Sequence, residues 1–272
     1  MNPSQAINHI QSQDQLDTDL CHWAKVILDQ HYPLPCASIA QLDRSITTSD
    51  NQTSATKKGT NAAVPLPLES AQEKKSTTPT KRIVLCSESP RRRNLMEICG
   101  WPFTTAAQAI DETALTAAID KAGKVEQQQP VEIATQTCLG LAAAKARAAY
   151  LKDSSSNAAK STVYIGSDTL IWFERRILGK PKDTADARRM LHALSGRRHH
   201  VFTAVSLLDI DPTAQRTKEW TFLDAAVVTF QPLDDIQIHL IDQYIATGSP
   251  LDKAGAYGIQ DAGSLLIQNI AG

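Results

Sequence analysis

Three features that would assign this chain to a specialised class are missing from its sequence. The 28 Lys and Arg residues nearly balance the 29 Asp and Glu residues, giving a formal net charge of −1. A chain without excess positive charge has no overall attraction for nucleic acid or anionic membranes. No apolar run approaches the roughly 18–20 residues of a membrane span. The first residues lack the charged and apolar regions of a signal peptide. We therefore expect a cytoplasmic protein with neither nucleic acid nor membrane as partner.

Metal-binding and disulfide patterns are also missing. The five cysteines are Cys21, Cys36, Cys86, Cys99 and Cys138. An odd number without C-x-x-C spacing indicates neither a disulfide framework nor a zinc site, so we expect reduced and mostly buried thiols. The seven histidines include no pair at H-x-x-x-H spacing. His199 and His200 open an apolar strand, which favours a structural role over metal ligation.

The first 80 residues differ in composition from the rest of the chain. Residues 19–31 have the apolar spacing of one short amphipathic helix, with Leu20, Trp23, Val26 and Ile27 on one face. Residues 37–80 are rich in Ser, Thr, Gln, Asn and Lys, a composition that cannot bury enough apolar surface to offset its ordering entropy. We expect an N-terminal extension over 1–80, mostly disordered linker, and a globular domain over 81–272.

Residues 81–272 alternate between strand and helix patterns. The expected strands are 83–85, 103–110, 162–166, a hairpin of 170–173 with 176–178, the antiparallel pair 200–210 and 220–230, and 265–270. The expected helices start at Ser89-Pro90 and cover 132–150, 183–193 and 233–246, while 113–130 looks like a surface excursion and 153–161 a polar loop. The strands and helices do not alternate strictly as repeated βαβ units. This pattern predicts an α/β fold with a mixed, twisted sheet and flanking helices.

Charged residues recur where these strands end or helices begin. In open α/β sheets the ligand crevice lies beyond the carboxyl ends of the strands. A single Lys or Asp there is usually a solvated loop residue. The joint set contains the cations Arg91, Arg92, Lys145 and Lys180 and the carboxylates Glu112 and Asp168. Cations and carboxylates in one crevice suit a phosphate ester with a divalent metal, because Mg²⁺ is held by one or two carboxylates and the substrate phosphates.

Several motifs in this order resemble the Maf family of nucleotide pyrophosphatases over 81–272. The motifs are Ser87-Glu88-Ser89-Pro90-Arg91-Arg92, Asp111-Glu112, Leu141-Ala142-Ala143-Ala144-Lys145-Ala146, Ile165-Gly166-Ser167-Asp168-Thr169, Leu178-Gly179-Lys180-Pro181, Leu194-Ser195-Gly196-Arg197, His200-Val201-Phe202-Thr203 and 252–260, Asp-Lys-Ala-Gly-Ala-Tyr-Gly-Ile-Gln. The resemblance implies the fold of inosine triphosphate pyrophosphatases. It also implies cleavage of a nucleoside triphosphate into the monophosphate and pyrophosphate with a divalent metal, Mg²⁺ or Mn²⁺.

The resemblance also implies roles for individual residues. Five residues match family positions around the phosphates of the substrate: Ser87, Arg91, Arg92, Lys145 and Lys180. Glu112 matches an acidic position near the metal, and Asp168 matches the proton acceptor, which could also hold the metal. Arg91, Thr169 and Gln260 match positions that separate the branch acting on dTTP and UTP from the branch acting on 7-methyl-GTP, which carries Trp, Gln and Glu there. This chain has the residues of the first branch at all three positions, so the resemblance implies hydrolysis of dTTP and UTP. We therefore expect a house-cleaning role, the removal of unwanted nucleotides from the nucleotide pool.

Two other functions are compatible with the sequence. The enzyme could instead act on 7-methyl-GTP. The chain could also be a non-catalytic nucleotide-binding or division-associated interaction protein, since it carries the 19–31 segment and stops at Gly272, where family members normally continue through a closing helix. We expect a domain shortened at its C-terminus. The oligomeric state is open, with a homodimer among the options.

Overall fold

The computed structural model describes residues 81–157 and 160–272, and the expectations for residues 1–80 lie outside these ranges. The strands are β1 (Arg82–Leu85), β2 (Thr104–Thr105), β3 (Thr162–Phe173), β4 (Arg176–Leu178), β5 (Arg198–Asp211), β6 (Arg216–Phe230) and β7 (Ile267–Ala271). The α-helices are α1 (Pro90–Ile98), α2 (Glu112–Val125), α3 (Pro130–Asn157), α4 (Thr184–Leu194) and α5 (Asp235–Ala246). Short 3₁₀ turns cover Ser249–Asp252, Ala254–Ala256 and Ala262–Leu266.

The strands form one mixed sheet in the order β2-β1-β3-β5-β6-β7, with β4 paired to β3. β1 runs parallel to both β2 and β3, whereas all pairs from β3 to β7 are antiparallel. The predicted α/β class and the mixed sheet with flanking helices are therefore confirmed. The predicted antiparallel pair is β5 and β6, which stay in register from Arg198 opposite Thr229 to Asp211 opposite Arg216.

Helix α3 packs on the sheet through small side chains. Ala142 and Ala146 are fully buried against it. On β3, a Cβ built on Gly166 would lie 2.1 Å from the Ala142 carbonyl oxygen and 2.8 Å from the Ala146 nitrogen. Only a glycine lets the helix backbone come this close to the strand. A separate core joins α4 and α5 to the sheet around Leu191, Phe230 and Ile241.

The segment after β2 differs from its prediction. The expected strand over 103–110 contains only the two residues of β2, and the expected excursion over 113–130 is mostly helix α2. Leu115 and Ile119, one helical turn apart, are buried against α3. The Asp111 carboxylate caps the helix by accepting from the Ala114 N–H at 2.8 Å. A glycine such as Gly123 favours a loop when the sequence is considered alone, but in α2 it allows close packing, because a Cβ there would meet Ile133 Cγ1 at 2.6 Å.

Two boundaries around β3 were also wrong. Helix α3 continues to Asn157, through part of the expected polar loop. β3 does not end at Gly166 but continues to Phe173, because β5 pairs with it from Thr162 to Trp172. Asp168 consequently lies inside a long strand and not past its end.

Across the described ranges, no helix combines the length and the apolar character needed to cross a bilayer.

The two adjacent histidines are buried on β5, in keeping with the structural role expected for them. His199 is 1% exposed, and its Nε2 lies 2.6 Å from the Tyr257 hydroxyl. Burial, with a smaller contribution from neighbouring His200, lowers the pKa of His199 to about 4. His199 is therefore neutral in the folded protein at neutral pH.

This burial predicts a pH-dependent stability. An unfolded histidine has a pKa of about 6.5, so between pH 6.5 and 4 the unfolded chain binds a proton at this residue that the folded protein does not. Stability is full above pH 6.5 and falls as the pH decreases. We expect His199 to account for a loss of about 2 kcal/mol between pH 7 and 5. Urea unfolding at both pH values should show a smaller loss in His199→Gln, and equal losses in the two proteins would contradict the assignment.

Candidate active site

A lysine on α3 joins two carboxylates from different elements. Lys145 Nζ lies 2.6 Å from Asp168 Oδ1 on β3 and 2.9 Å from Glu112 Oε1 at the start of α2. The side chains of Lys145 and Asp168 are only 16% and 10% exposed, whereas that of Glu112 is 53% exposed. The carboxylates thus meet one ammonium at the boundary between buried and solvated surface. This arrangement brings together three residues that are 33 and 23 positions apart in the sequence (112 to 145, and 145 to 168).

Burial changes the proton affinity of this pair. Burial raises the pKa of Asp168 above its usual range, although the opposing charges of Lys145 and Arg92 partly counter it. For Lys145, burial lowers the pKa, but attraction and hydrogen bonding by Asp168 and Glu112 outweigh burial, so its pKa is raised. Lys145 is therefore a fixed cation, and Asp168 is a stronger base than an ordinary surface carboxylate.

Arg92 supplies a second cation from the first turn of α1. Its Nη1 lies 2.8 Å from the Ser167 carbonyl oxygen and 3.3 Å from the buried Ser87 hydroxyl, and its Nη2 lies 3.3 Å from Thr169 Oγ1. Burial lowers the pKa of Arg92, and nearby Asp168 opposes this effect. Arg92 is nevertheless charged under all ordinary conditions, because a guanidinium is not deprotonated in proteins. Three contacts hold its planar group against the β1–α1 turn and the middle of β3.

The turn that precedes α1 leads directly into the first turn of this helix. Ser89 and Pro90 start the helix as predicted, but the Ser89 side chain makes no capping hydrogen bond. The Ser87 hydroxyl instead accepts from the Ser89 N–H at 3.2 Å. N–H groups at a helix start carry a partial positive charge that attracts anions. The start of α1 and the Arg92 guanidinium thus both favour a negatively charged ligand.

Side-chain alternation on β3 decides which groups meet. Asp168 lies on the sheet face that α3 covers, and Thr169 lies on the opposite face. Thr169 Oγ1 lies 3.3 Å from Thr203 Oγ1 on β5. The middle of β3 therefore presents an acid to one face and a hydroxyl pair to the other, with Arg92 in contact with this stretch.

Three of the residues expected from sequence lie outside these contacts. Arg91 Nη1 is 3.6 Å from Asp252 Oδ2 and belongs to a second contact group. Lys180 and Gln260 are exposed, and within residues 81–157 and 160–272 neither makes a hydrogen bond or ion pair. Lys180 follows β4, whose antiparallel register of Leu178 opposite Ile171 directs the chain back along β3 toward Thr169.

The two acidic residues could hold a divalent metal only together with a ligand. In the described part of the chain, no group of three or more His, Cys, Asp and Glu side chains is arranged to bind a metal. Glu112 and Asp168 nevertheless both direct an oxygen to the position of the Lys145 ammonium. Mg²⁺ commonly uses one or two carboxylates and completes its shell with water and substrate phosphates. The pair fits that mode of binding and not a closed protein cage.

Some residues that shape the site were missed by sequence reasoning. Thr203 meets Thr169, the Ser167 carbonyl accepts from Arg92, and the buried Cys138 thiol lies 3.6 Å from the Asp168 carbonyl oxygen and 3.5 Å from that of Phe202. Lys253, within the motif 252–260, is buried at 6% exposure. Only the motif membership of Thr203 and Lys253 could have drawn attention to them, because these contacts join distant parts of the chain.

The comparisons with known proteins agree with the resemblance seen in the sequence. A family model described as Maf-like protein matches residues 82–272. The dTTP/UTP pyrophosphatase of Bacillus cytotoxicus is 36% identical over 192 residues, covering 71% of this chain and 85% of the relative. The dTTP/UTP pyrophosphatase of Bacillus cereus strain ATCC 10987 is 37% identical over 192 residues, covering 71% of this chain and 80% of the relative.

Proposed function

Since the chain belongs to the Maf-like protein family, we propose that it is a nucleoside triphosphate pyrophosphatase, which hydrolyses dTTP and UTP to the monophosphate and pyrophosphate. The substrates are those named for its relatives, which share 36–37% identity with it. The proposed role is removal of unwanted nucleotides from the cytoplasmic pool.

The observation that carries the proposal is the group formed by Lys145, Asp168, Glu112 and Arg92. It combines a buried carboxylate of raised pKa with two cations in direct or neighbouring contact. Phosphoryl chemistry needs charge neutralisation and placement more than covalent help from the protein. The group provides both a base and fixed positive charge.

In the proposed reaction, water attacks the α-phosphorus and the bond to the α–β bridging oxygen breaks. Asp168 takes the proton that the attacking water loses, and pyrophosphate leaves with the electron pair of the broken bond. A raised pKa makes Asp168 a better proton acceptor at neutral pH than a carboxylate of ordinary pKa. The ammonium of Lys145, at 2.6 Å, holds the Asp168 oxygen in one orientation.

Cations would stabilise the charge that builds up on the leaving pyrophosphate. Arg92 is already oriented by Ser87, Ser167 and Thr169. Lys180 is exposed and has no protein partner in the described ranges, which leaves its ammonium available to phosphate oxygens. The phosphates would thus lie between the start of α1 and the turn after β4.

Glu112 and Asp168 would hold a divalent cation, Mg²⁺ or Mn²⁺, together with the phosphates of the substrate. When bound, such an ion neutralises phosphate charge and lowers the pKa of water. The exposed carboxylate of Glu112 can exchange its ion pair with Lys145 for a bound metal ion at little cost in free energy, because solvent screens the ion pair.

Selection of the base would depend on Arg91, Thr169 and Gln260, which the resemblance assigns to positions typical of the dTTP and UTP branch. An amide such as Gln260 offers both a donor and an acceptor, which suits the imide edge of thymine or uracil. Its exposure leaves both groups available. The names of the relatives favour this substrate choice over 7-methyl-GTP.

The proposal is tested by pyrophosphate release from dTTP, UTP and 7-methyl-GTP, each with Mg²⁺ or Mn²⁺ and with EDTA. We expect metal-dependent release from dTTP and UTP, with kcat/KM at least tenfold above that for 7-methyl-GTP. Preference for 7-methyl-GTP would overturn the substrate assignment. No release above an Asp168→Asn blank, with nucleotide binding retained, would support the non-catalytic reading instead.

A further inference from the structure

A buried lysine lies at the centre of the 249–261 segment. Lys253 Nζ is 2.6 Å from the Ser249 carbonyl oxygen, 2.9 Å from the Ser249 hydroxyl, 2.7 Å from Asp252 Oδ1 and 3.2 Å from Asp261 Oδ2. Its side chain is 6% exposed. The ammonium thus connects both ends of the segment, and its three donors are all occupied.

The partners of Lys253 are themselves held. Asp261 accepts from the Tyr244 hydroxyl at 2.9 Å, from the Ser249 hydroxyl at 2.7 Å and from the Gly263 N–H at 2.9 Å. A Cβ on Gly258 would lie 2.9 Å from Lys253 Cε, so this glycine leaves room for the lysine stem. A buried charge with several hydrogen-bonded partners holds its surroundings in one arrangement, because losing one partner leaves the other charge unpaired.

Both ends of this network reach residues implied in substrate selection. Asp252, which accepts from Lys253 through Oδ1, lies 3.6 Å from Arg91 Nη1 through Oδ2. Gln260 directly precedes Asp261 in the chain. Arg91 belongs to α1, so Asp252 links that helix to the segment that carries Gln260. Two selection residues 169 positions apart (260 − 91) are therefore connected through one ammonium.

We propose that Lys253 is a positioning residue for substrate selection, which sets the place of Arg91 through Asp252 and of Gln260 through Asp261. This inference rests on the proposed function, since it names how the same site selects its substrate. Among the described residues, the hydrogen bonds and ion pairs of Lys253 go to Ser249, Asp252 and Asp261 and not to Lys145, Asp168 or Arg92. It therefore acts on substrate binding and not on the proton transfer.

The first test replaces Lys253 with methionine, which keeps the length of the stem and removes the charge. We expect KM for dTTP and UTP to rise at least tenfold and kcat to change less than threefold. The ratio of kcat/KM for dTTP to kcat/KM for 7-methyl-GTP should decrease. Lys81→Met is the control for loss of a lysine–aspartate ion pair, because the more exposed Lys81 Nζ lies 2.6 Å from the Asp209 carboxylate, outside this network. An unchanged KM, or an equal rise in KM in the control, would overturn the proposal.

The second test uses Asp252→Asn, which remains foldable if Lys253→Met does not, since the Asp252 side chain is 61% exposed. An exposed ion pair contributes little, so we expect KM for dTTP to rise about threefold. The rise should vanish in an Arg91→Ala background, because Asp252 acts through Arg91. The same rise in both backgrounds would contradict that connection.

Binding of a dTTP analogue with a nonhydrolysable α–β bridge separates this inference from the proposed function. Calorimetry should show at least tenfold weaker binding to Lys253→Met than to the unaltered protein. A protein that binds the analogue but releases no pyrophosphate from dTTP contradicts the proposed function alone. Equal binding by Lys253→Met and the unaltered protein contradicts the positioning role alone.

Discussion

Replacing Asp168 with asparagine is expected to lower kcat for dTTP about a thousandfold, within the range lost when a positioned proton acceptor is removed. Asparagine keeps the shape of the side chain but cannot take a proton from water. It also removes one of the two carboxylates that contact Lys145. Steady-state pyrophosphate release, with calorimetric nucleotide binding as a second measurement, should show a loss in kcat larger than the loss in affinity.

Asp209→Asn is the matched control for this substitution. Asp209 is 6% exposed against 7% for Asp168, and its carboxylate also lies 2.6 Å from a lysine ammonium, that of Lys81. Asparagine at 209 should leave kcat within about threefold, because Asp209 lies outside the proposed site. A comparable loss in both variants would indicate a general effect of removing a buried ion pair and would contradict the proton-acceptor role.

The pH dependence of the unaltered enzyme should agree with this role. Asp168 must be a carboxylate to take the proton, so kcat/KM should fall as the pH decreases through the raised pKa of Asp168. This loss of kcat/KM forms the acidic limb of the pH–rate profile. Measurements of kcat/KM for dTTP should also show that the acidic limb disappears from the residual activity of Asp168→Asn.

Replacing Gly166 with alanine is expected to destabilise the domain by about 3 kcal/mol, at the upper end for an overpacked core. The added Cβ would meet the Ala142 carbonyl oxygen at 2.1 Å and the Ala146 nitrogen at 2.8 Å, so α3 must move away from β3. Lys145 directly precedes Ala146 and would move with the helix, away from Asp168. Because a displacement of about 1 Å in a catalytic group can cost about a hundredfold, kcat/KM should fall more than tenfold.

The stability of this variant can be measured by urea unfolding against Gly179→Ala. A Cβ at Gly179 would meet no atom within 4 Å, and its backbone is not left-handed, so alanine there should change the stability by less than about 0.5 kcal/mol. The comparison separates close packing of α3 on β3 from a general effect of replacing a glycine. Unaltered stability of Gly166→Ala would mean that α3 and β3 do not need to approach so closely.

Local patterns predicted the elements whose start and stop signals lie within a few residues. Asp183 accepts from the Asp186 N–H at 2.7 Å and starts α4, and Gly196 follows its end with φ +70°. The β-rich runs 200–210 and 220–230, separated by a short loop, likewise indicated the long antiparallel pair. The family was predicted from the resemblance of several ordered motifs, and the match over 82–272 confirms it. The extension over 1–80 and the roles of the site residues stay predictions.

Other features depended on contacts between distant residues. Helix α2 had weak sequence signals, and its burial against α3 outweighed them. β3 continued through Asp168 because β5 pairs with it there, which no local pattern in 162–173 could show. The sequence by itself determined the family, the fold class and the charged residues available for chemistry. Only the tertiary structure decided that Lys145 meets Asp168 and that Lys253 joins Asp252 to Asp261, because those pairings depend on how closely the helices, strands and turns pack.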